Sequence, residues 1–182
     1  MASEQAILDA TIRILRRDGY AGLTLDKVAA LAKSSKATIY RRWPAKEHLV
    51  FAVLDRLPPL VPVDRGNLLD ELHEMHAKAA RTVEADSMKE VLAMLPGEAA
   101  VNPELRESMR LFEEKRRIPM RIVLDRAVSR GELPRSADIE LAIDFIQGAI
   151  MIRGYLLGQP LRPDWMTAML KTLIRGLGGK IK

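Results

Sequence analysis

Thr24-Leu25-Asp26-Lys27-Val28-Ala29-Ala30-Leu31-Ala32, then Lys33-Ser34-Ser35, then Lys36-Ala37-Thr38-Ile39-Tyr40-Arg41-Arg42-Trp43-Pro44-Ala45-Lys46, is the stretch on which the fold turns. Its first part predicts a helix. The Thr24 hydroxyl can cap a backbone N–H, Asp26 sits near the positive end of the dipole, and Leu25, Val28, Ala29 and Ala32 share one face. Three residues, Lys33 to Ser35, are too few for anything but a turn. A second short helix follows over 36–43 and stops before Pro44, because proline disfavours helical backbone in the residue before it. Two short helices joined by a tight turn predict a helix-turn-helix.

Outward from that unit the chain reads as capped helices. Ile7, Ala10, Thr11, Ile14 and Leu15 recur at helical spacing between Ser3, a cap, and Gly19, a terminating glycine. Leu49, Val50, Val53 and Leu54 mark a helix over 45–56. Pro58, Pro59 and Pro62 then form a stiff boundary, which predicts a domain of residues 1–56 and a second of residues 57–182. In the second, helices are expected over 66–83, 87–95, 103–131 with Asn102 as cap and a kink at Pro119, and 139–157 with Asp138 as cap. A last helix begins at Pro163 and ends before Gly178-Gly179. No run of alternating β-branched residues is long enough for a sheet. The expectation is an all-α protein of about nine helices: an N-terminal three-helix helix-turn-helix module and a C-terminal helical bundle.

The 182 residues carry 29 Lys and Arg, 24 Asp and Glu, a net charge of +5 and no cysteine. Disulfides, zinc-thiolate sites, iron-sulfur clusters and a cysteine nucleophile are thereby excluded. Ten basic and six acidic residues fall in 1–56, so most of the positive excess lies in the first third of the chain and points to an anionic partner. The N-terminus shows no secretory pattern, and the charge-free stretch Phe145 to Ile152 is too short to cross a membrane, so a cytoplasmic protein is expected.

In a helix-turn-helix the second helix lies in the major groove, with its N-terminal residues at base edges and flanking helix starts on phosphates. Here that helix offers Ser35, Lys36, Ala37, Thr38, Tyr40, Arg41 and Arg42. Ile39 and Trp43, four residues apart, would face inward against Val28 and Ala32. Ala37 permits close approach, Thr38 can bond a base or touch a thymine methyl, and Tyr40 reaches a phosphate. Thr24 and Lys46 open the flanking helices, where backbone N–H groups and the dipole favour phosphate.

Gly22-Leu23-Thr24 together with Ser35 through Lys46 resembles the DNA-binding domain of TetR/AcrR-family regulators, the match running from about Ile7 to Leu54. Later segments are similar in helix order, including Gly131-Glu132-Leu133 before a long penultimate helix. The resemblance implies a homodimeric transcription factor, usually a repressor of a palindromic operator, released from DNA by a small molecule in the C-terminal domain. It implies phosphate contacts at Thr24, Ser35, Tyr40 and Lys46 and base-edge contacts at Lys36, Ala37 and Thr38. Lys33 stands where the family commonly has a turn glycine, Ser34 where an apolar residue follows it, and Arg42 where a histidine precedes the aromatic residue.

In the second domain the methionines suggest a pocket for an apolar or aromatic effector lined by Met75, Met94, Leu95, Leu111, Phe112, Met120, Phe145, Gln147, Met151 and Tyr155; core packing is the bland alternative for each. Asp144 and Arg153 are further polar groups in the same apolar helix and offer handles for a ligand, the alternative being that Arg153 pairs with Asp144, Glu140 or a carboxylate on a neighbouring helix. Gly148, with the stripe Met166, Leu170, Leu173, Ile174 and Leu177, suggests a four-helix dimer seam. His73 and His76 flank Glu74-Met75, which is not a zinc-hydrolase spacing, so neither metal nor cofactor is expected. His48 is lone. Lys115-Arg116-Arg117 reads as a solvated face balanced by Glu113 and Glu114. Two other function classes compete with this reading. A non-specific DNA-compacting protein would bind by salt-dependent charge alone, and a helical-bundle enzyme would need catalytic residues that do not appear; no catalytic residue is expected.

Overall fold

Side-chain caps fix where helices begin. Ser3, Thr24, Ser35, Asn102 and Asp138 each accept a hydrogen bond from the backbone N–H three residues on, at 2.9 to 3.2 Å, each cap being worth about 1 kcal/mol. The computed structural model of the chain describes residues 3–85 and 88–181. Among them are nine α-helices and no strand: α1 (Glu4–Gly22), α2 (Leu25–Leu31), α3 (Lys36–Arg42), α4 (Lys46–Leu54), α5 (Leu68–Ala85), α6 (Met88–Val101), α7 (Pro103–Ser129), α8 (Ile139–Ile150) and α9 (Pro163–Gly176), with a π-helical turn at Met151–Leu156. No helix among the described residues is long and apolar enough to cross a membrane.

Helix ends repeat one device. After α7 and α9 the chain turns through Gly131 (φ 72) and Gly178 (φ 76), and the next N–H reaches back to Ala127 or Ile174 at 2.9 and 2.8 Å. The same paired bonds close α2, from Ser34 N to Ala29 O at 2.9 Å and Lys33 N to Ala30 O at 3.3 Å, but the left-handed position is filled by Lys33 at φ 53. Lys33 is the one non-glycine residue with positive φ among the described residues. In α1 the regular helix breaks at Gly19 (φ 71, ψ −177), and one more turn carries Tyr20 into the core.

Three expected boundaries differ. α5 starts after Asn67, whose side-chain carbonyl accepts from Asp70 N at 2.9 Å, rather than at Gly66. α6 passes through Pro96 to Val101 instead of ending at Leu95: the ring faces solvent, while buried Leu92, Leu95 and Ala99 hold the helix on both sides of it. Ser87, expected to open this helix, lies outside the described residues. α8 stops at Ile150, where the backbone widens into the π-helical turn, marked by Leu157 N bonded to Ile152 O at 2.9 Å.

The chain packs as two units. The first comprises Met1–Leu57 with Ser87–Glu113, and the second Pro58–Asp86 with Glu114–Lys182. One division falls at Leu57 and Pro58, beside the prolines. Packing nevertheless groups α6 and the start of α7 with the N-terminal helices, because α1 packs on α6 as well as on α2 and α4. In the first unit Ile14, Leu15, Leu23, Ile39, Leu49 and Leu95 are fully buried. In the second, Leu68, Leu72 and Met75 of α5 meet Met120 and Leu124 of α7, Ile143 and Ile146 of α8, and Met166, Leu170 and Ile174 of α9. Arg130 donates to both oxygens of fully buried Glu71 at 3.0 and 3.1 Å and to Glu132, whose other oxygen accepts from Leu68 N at 2.7 Å.

Candidate nucleic-acid interface

Residues 24–46 fold within the first unit as the spacing predicts. α2 packs against α3, and Ile39 and Trp43 are buried while Lys36, Ala37, Tyr40 and Arg41 are exposed. Apolar residues four apart thus seat the short helix and turn its polar residues outward. Ser35 does double duty at its start: its hydroxyl accepts from Thr38 N at 3.1 Å and lies 2.8 Å from the Thr38 hydroxyl. Thr24 performs the same cap on α2.

A carboxylate on α2 gathers two of these residues. Lys36 donates to one oxygen of Asp26 at 2.6 Å, and the Tyr40 hydroxyl, on a side chain 47% exposed, donates to the other at 3.4 Å. The hydrogen bond and the charge of Asp26 hold the Lys36 ammonium pKa above its ordinary value. Arg42 turns instead to α1, pairing with Glu4, and its guanidinium lies 4.9 Å from the Trp43 ring centre.

Lys46, the first residue of α4, is anchored to a residue that the sequence pattern did not single out. Its ammonium lies 3.9 Å from the centre of the Tyr20 ring and donates to Tyr20 O at 3.3 Å. The buried Tyr20 hydroxyl donates to Glu47 and accepts from Asn102 Nδ2 at 3.1 Å. Burial, then the hydrogen bond to Glu47, pushes the Tyr20 phenol well above its ordinary pKa. Burial pushes Glu47 up, but the Tyr20 hydrogen bond and the Lys46 charge outweigh it and leave that carboxyl below its usual range. An aromatic residue just past a terminating glycine is the signal that would have pointed to Tyr20.

The residues expected to line an effector pocket divide between the units. Met94, Leu95, Leu111 and Phe112 belong to the first; Met75, Met120, Phe145, Gln147, Met151 and Tyr155 belong to the second. Met75 and Met120 are core residues, and Phe145 is 59% exposed on α8. The residues expected at a dimer seam divide between core and surface. Met166, Leu170 and Ile174 are buried in the second unit's own core, with Leu173 and Leu177 packed against it, so that stripe is not open surface. An apolar groove of about 620 Å³, open to solvent, is lined by Leu141, Phe145 and Gly148 of α8, Ile152 of the π-helical turn, Leu157 just past it and Trp165 of α9.

Arg153 pairs with neither Asp144 nor Glu140. It donates to Pro160 O at 3.1 Å and stacks 4.9 Å from the Trp165 ring centre, whereas Asp144 and Glu140 both take Arg117, at 2.7 and 3.0 Å. Arg117 is therefore tied to α8 rather than standing on a solvated face. His76 is buried, with Nδ1 donating to Leu72 O at 2.8 Å, and burial lowers its pKa to about 4. No group of three or more potential metal ligands occurs among the described residues.

Two family models match the chain: "Bacterial regulatory proteins, tetR family" over residues 7–53, and "Tetracyclin repressor-like, C-terminal domain" over residues 62–173. An uncharacterized HTH-type transcriptional regulator of Mycobacterium tuberculosis is 33% identical over 175 residues, 94% of this chain and 85% of the relative. The DNA-binding transcriptional repressor TetR of Mycobacteroides abscessus is 31% identical over 162 residues, 86% and 83% of the two chains. Among solved structures, the TetR family transcription regulator SCO0332 superposes with a TM-score of 0.69 at 25% identity, covering 94% of this chain and 96% of that one. FadR from Bacillus subtilis, solved with stearoyl-CoA, has the same fold, with a TM-score of 0.74 at 18% identity and coverage of 99% and 100%.

Proposed function

Because the chain belongs to the TetR family of bacterial regulatory proteins, a family of DNA-binding transcriptional regulators rather than enzymes, we propose that it is a cytoplasmic repressor that binds a palindromic operator as a homodimer and leaves it when a small molecule binds. The observation that carries this is the outward face of α3: Lys36, Ala37, Tyr40 and Arg41 stand exposed on a helix held from behind by Ile39 and Trp43. Lys36, Ala37 and Thr38 read base edges, while Thr24, Ser35, Tyr40, Arg41 and Lys46 position the module on phosphates. Arg42 joins them on exchanging Glu4 for phosphate.

Two copies meet through the exposed apolar face of α8 and the π-helical turn, since apolar patches of that kind on a soluble protein mark interfaces. Each copy then reads one half-site, with centres about 34 to 36 Å apart or a multiple of that. The effector is apolar or aromatic. That part of the proposal draws on the methionines of the second unit and on the acyl-CoA held by FadR, a protein of the same fold. Its effect on DNA affinity is a coupling free energy, typically ~1 to 3 kcal/mol.

The test is selection of bound duplexes from a random-sequence pool at physiological salt, then titration of the selected duplex against a scrambled competitor. An enriched inverted repeat bound by two copies is the expected result. Binding that merely fades with salt, with no sequence enriched, would overturn the proposal in favour of charge-driven association.

A further inference from the structure

The carboxylate of Asp26 lies where a DNA-binding surface has least use for one. It is exposed in the first turn of α2, and it holds Lys36 at 2.6 Å and Tyr40 at 3.4 Å. A carboxylate and a phosphate diester offer the same chemistry to these donors, anionic oxygens that only accept. Asp26 therefore stands in for a phosphate within the free chain, and it does so without the entropy that an incoming duplex loses on association.

We propose that Asp26 is a specificity-determining positioning residue of the DNA interface; this rests on the DNA-binding function proposed above. A duplex offering only backbone must displace Asp26 from Lys36 and Tyr40 and then leave the carboxylate facing its phosphates, so generic contact gains little. A base edge offers more. The Lys36 ammonium has three donors, so it can keep Asp26 while giving another to guanine O6 or N7, and the carboxylate can itself accept from a cytosine amino group. Asp26 thus weakens wrong complexes more than right ones, which is specificity obtained through a repulsive element.

The experiment titrates the full chain, Asp26→Asn, Asp18→Asn and Asp26→Asn/Lys36→Ala against the selected and the scrambled duplex over a salt series. Asp18 is the control. It is an acidic residue of the same module that pairs with Arg17 at 2.6 Å and Lys27 at 3.3 Å, neither of them a proposed DNA contact. Asp26→Asn should tighten binding to the scrambled duplex up to about fivefold, the scale of an exposed ion pair. It should tighten the selected duplex less, lower the ratio between them, and steepen the salt slope on scrambled DNA by about 1. Adding Lys36→Ala should abolish the gain. An unchanged ratio in Asp26→Asn, or an equal drop in Asp18→Asn, would overturn the proposal by reducing Asp26 to net charge. A wild-type chain that binds no duplex would instead overturn the function on which it rests.

Discussion

Lys46 and Tyr20 are joined twice, once through the ammonium lying 3.9 Å from the ring centre and once through its 3.3 Å hydrogen bond to the Tyr20 carbonyl. The tyrosine hydroxyl is in turn held by Glu47 and by Asn102, the residue that caps α7. Tyr20→Phe keeps the ring under Lys46 but strips partners from two polar side chains. It should destabilise the first unit by about 1 to 3 kcal/mol, read by urea unfolding, and leave the salt slope of DNA binding intact. Lys46→Ala should reverse the pattern, with little loss of stability, weaker binding to all sequences and a shallower slope.

Lys33 holds a conformation that glycine adopts at the ends of α7 and α9. A left-handed backbone costs a residue with a Cβ roughly 1 to 2 kcal/mol, part of which glycine returns through the entropy of its unfolded chain. Lys33→Gly should therefore raise stability by roughly 1 kcal/mol, measurable as a higher urea midpoint with unchanged slope.

The pH dependence of the second unit should carry the mark of His76. Burial lowers its pKa from 6.5 to about 4, with Arg116 and His73 adding in the same direction. The unfolded chain thus binds more protons between those values, and stability is lost as pH falls from about 6.5 to about 4, by up to about 3 kcal/mol. His76→Gln should flatten that part of the curve in unfolding measurements between pH 4 and 7.

Phe145 and Leu170 separate the surface of the second unit from its interior. Phe145→Asp, on an exposed face of α8, should leave thermal unfolding of the monomer nearly unchanged and convert dimer to monomer in sedimentation equilibrium. Leu170→Ala, with its side chain fully buried, should cost about 2 to 5 kcal/mol of stability. A Phe145→Asp variant that stays dimeric would move the seam away from α8.

The starts of helices were the most legible part of the chain, because a cap is local chemistry: Ser3, Thr24, Asn102 and Asp138 all bond as the caps their residue types predict, and Ser35, read only as a turn residue, caps α3 in the same way. The seating of α3 was legible for the same reason, two apolar residues one turn apart. Tertiary packing was not. A stripe such as Met166, Leu170 and Ile174 looks alike whether it faces a partner or its own core, and only the position of α5 against α9 decides between them. Pro96 misled in a similar way, since proline weakens a helix locally while the burial that keeps α6 intact comes from elsewhere in the first unit. Asp26 read as a helix-dipole residue, and its hold on Lys36 became visible once α2 and α3 lay side by side.

The π-helical turn at Met151–Leu156 bears on how related chains should be compared. Such a turn takes in one residue more than an α-helix needs for the same span, and each residue of an α-helix advances about 100°. A relative with a plain α-helix here would match Ala142, Ile143 and Ile146 position for position, then need a one-residue alignment gap between Met151 and Leu156 before its side chains came back into phase. A gapless alignment would set the residues of the turn itself, Arg153 to Leu156, about 100° around the axis from their true positions, before the loop at Gly158 resets the register for α9.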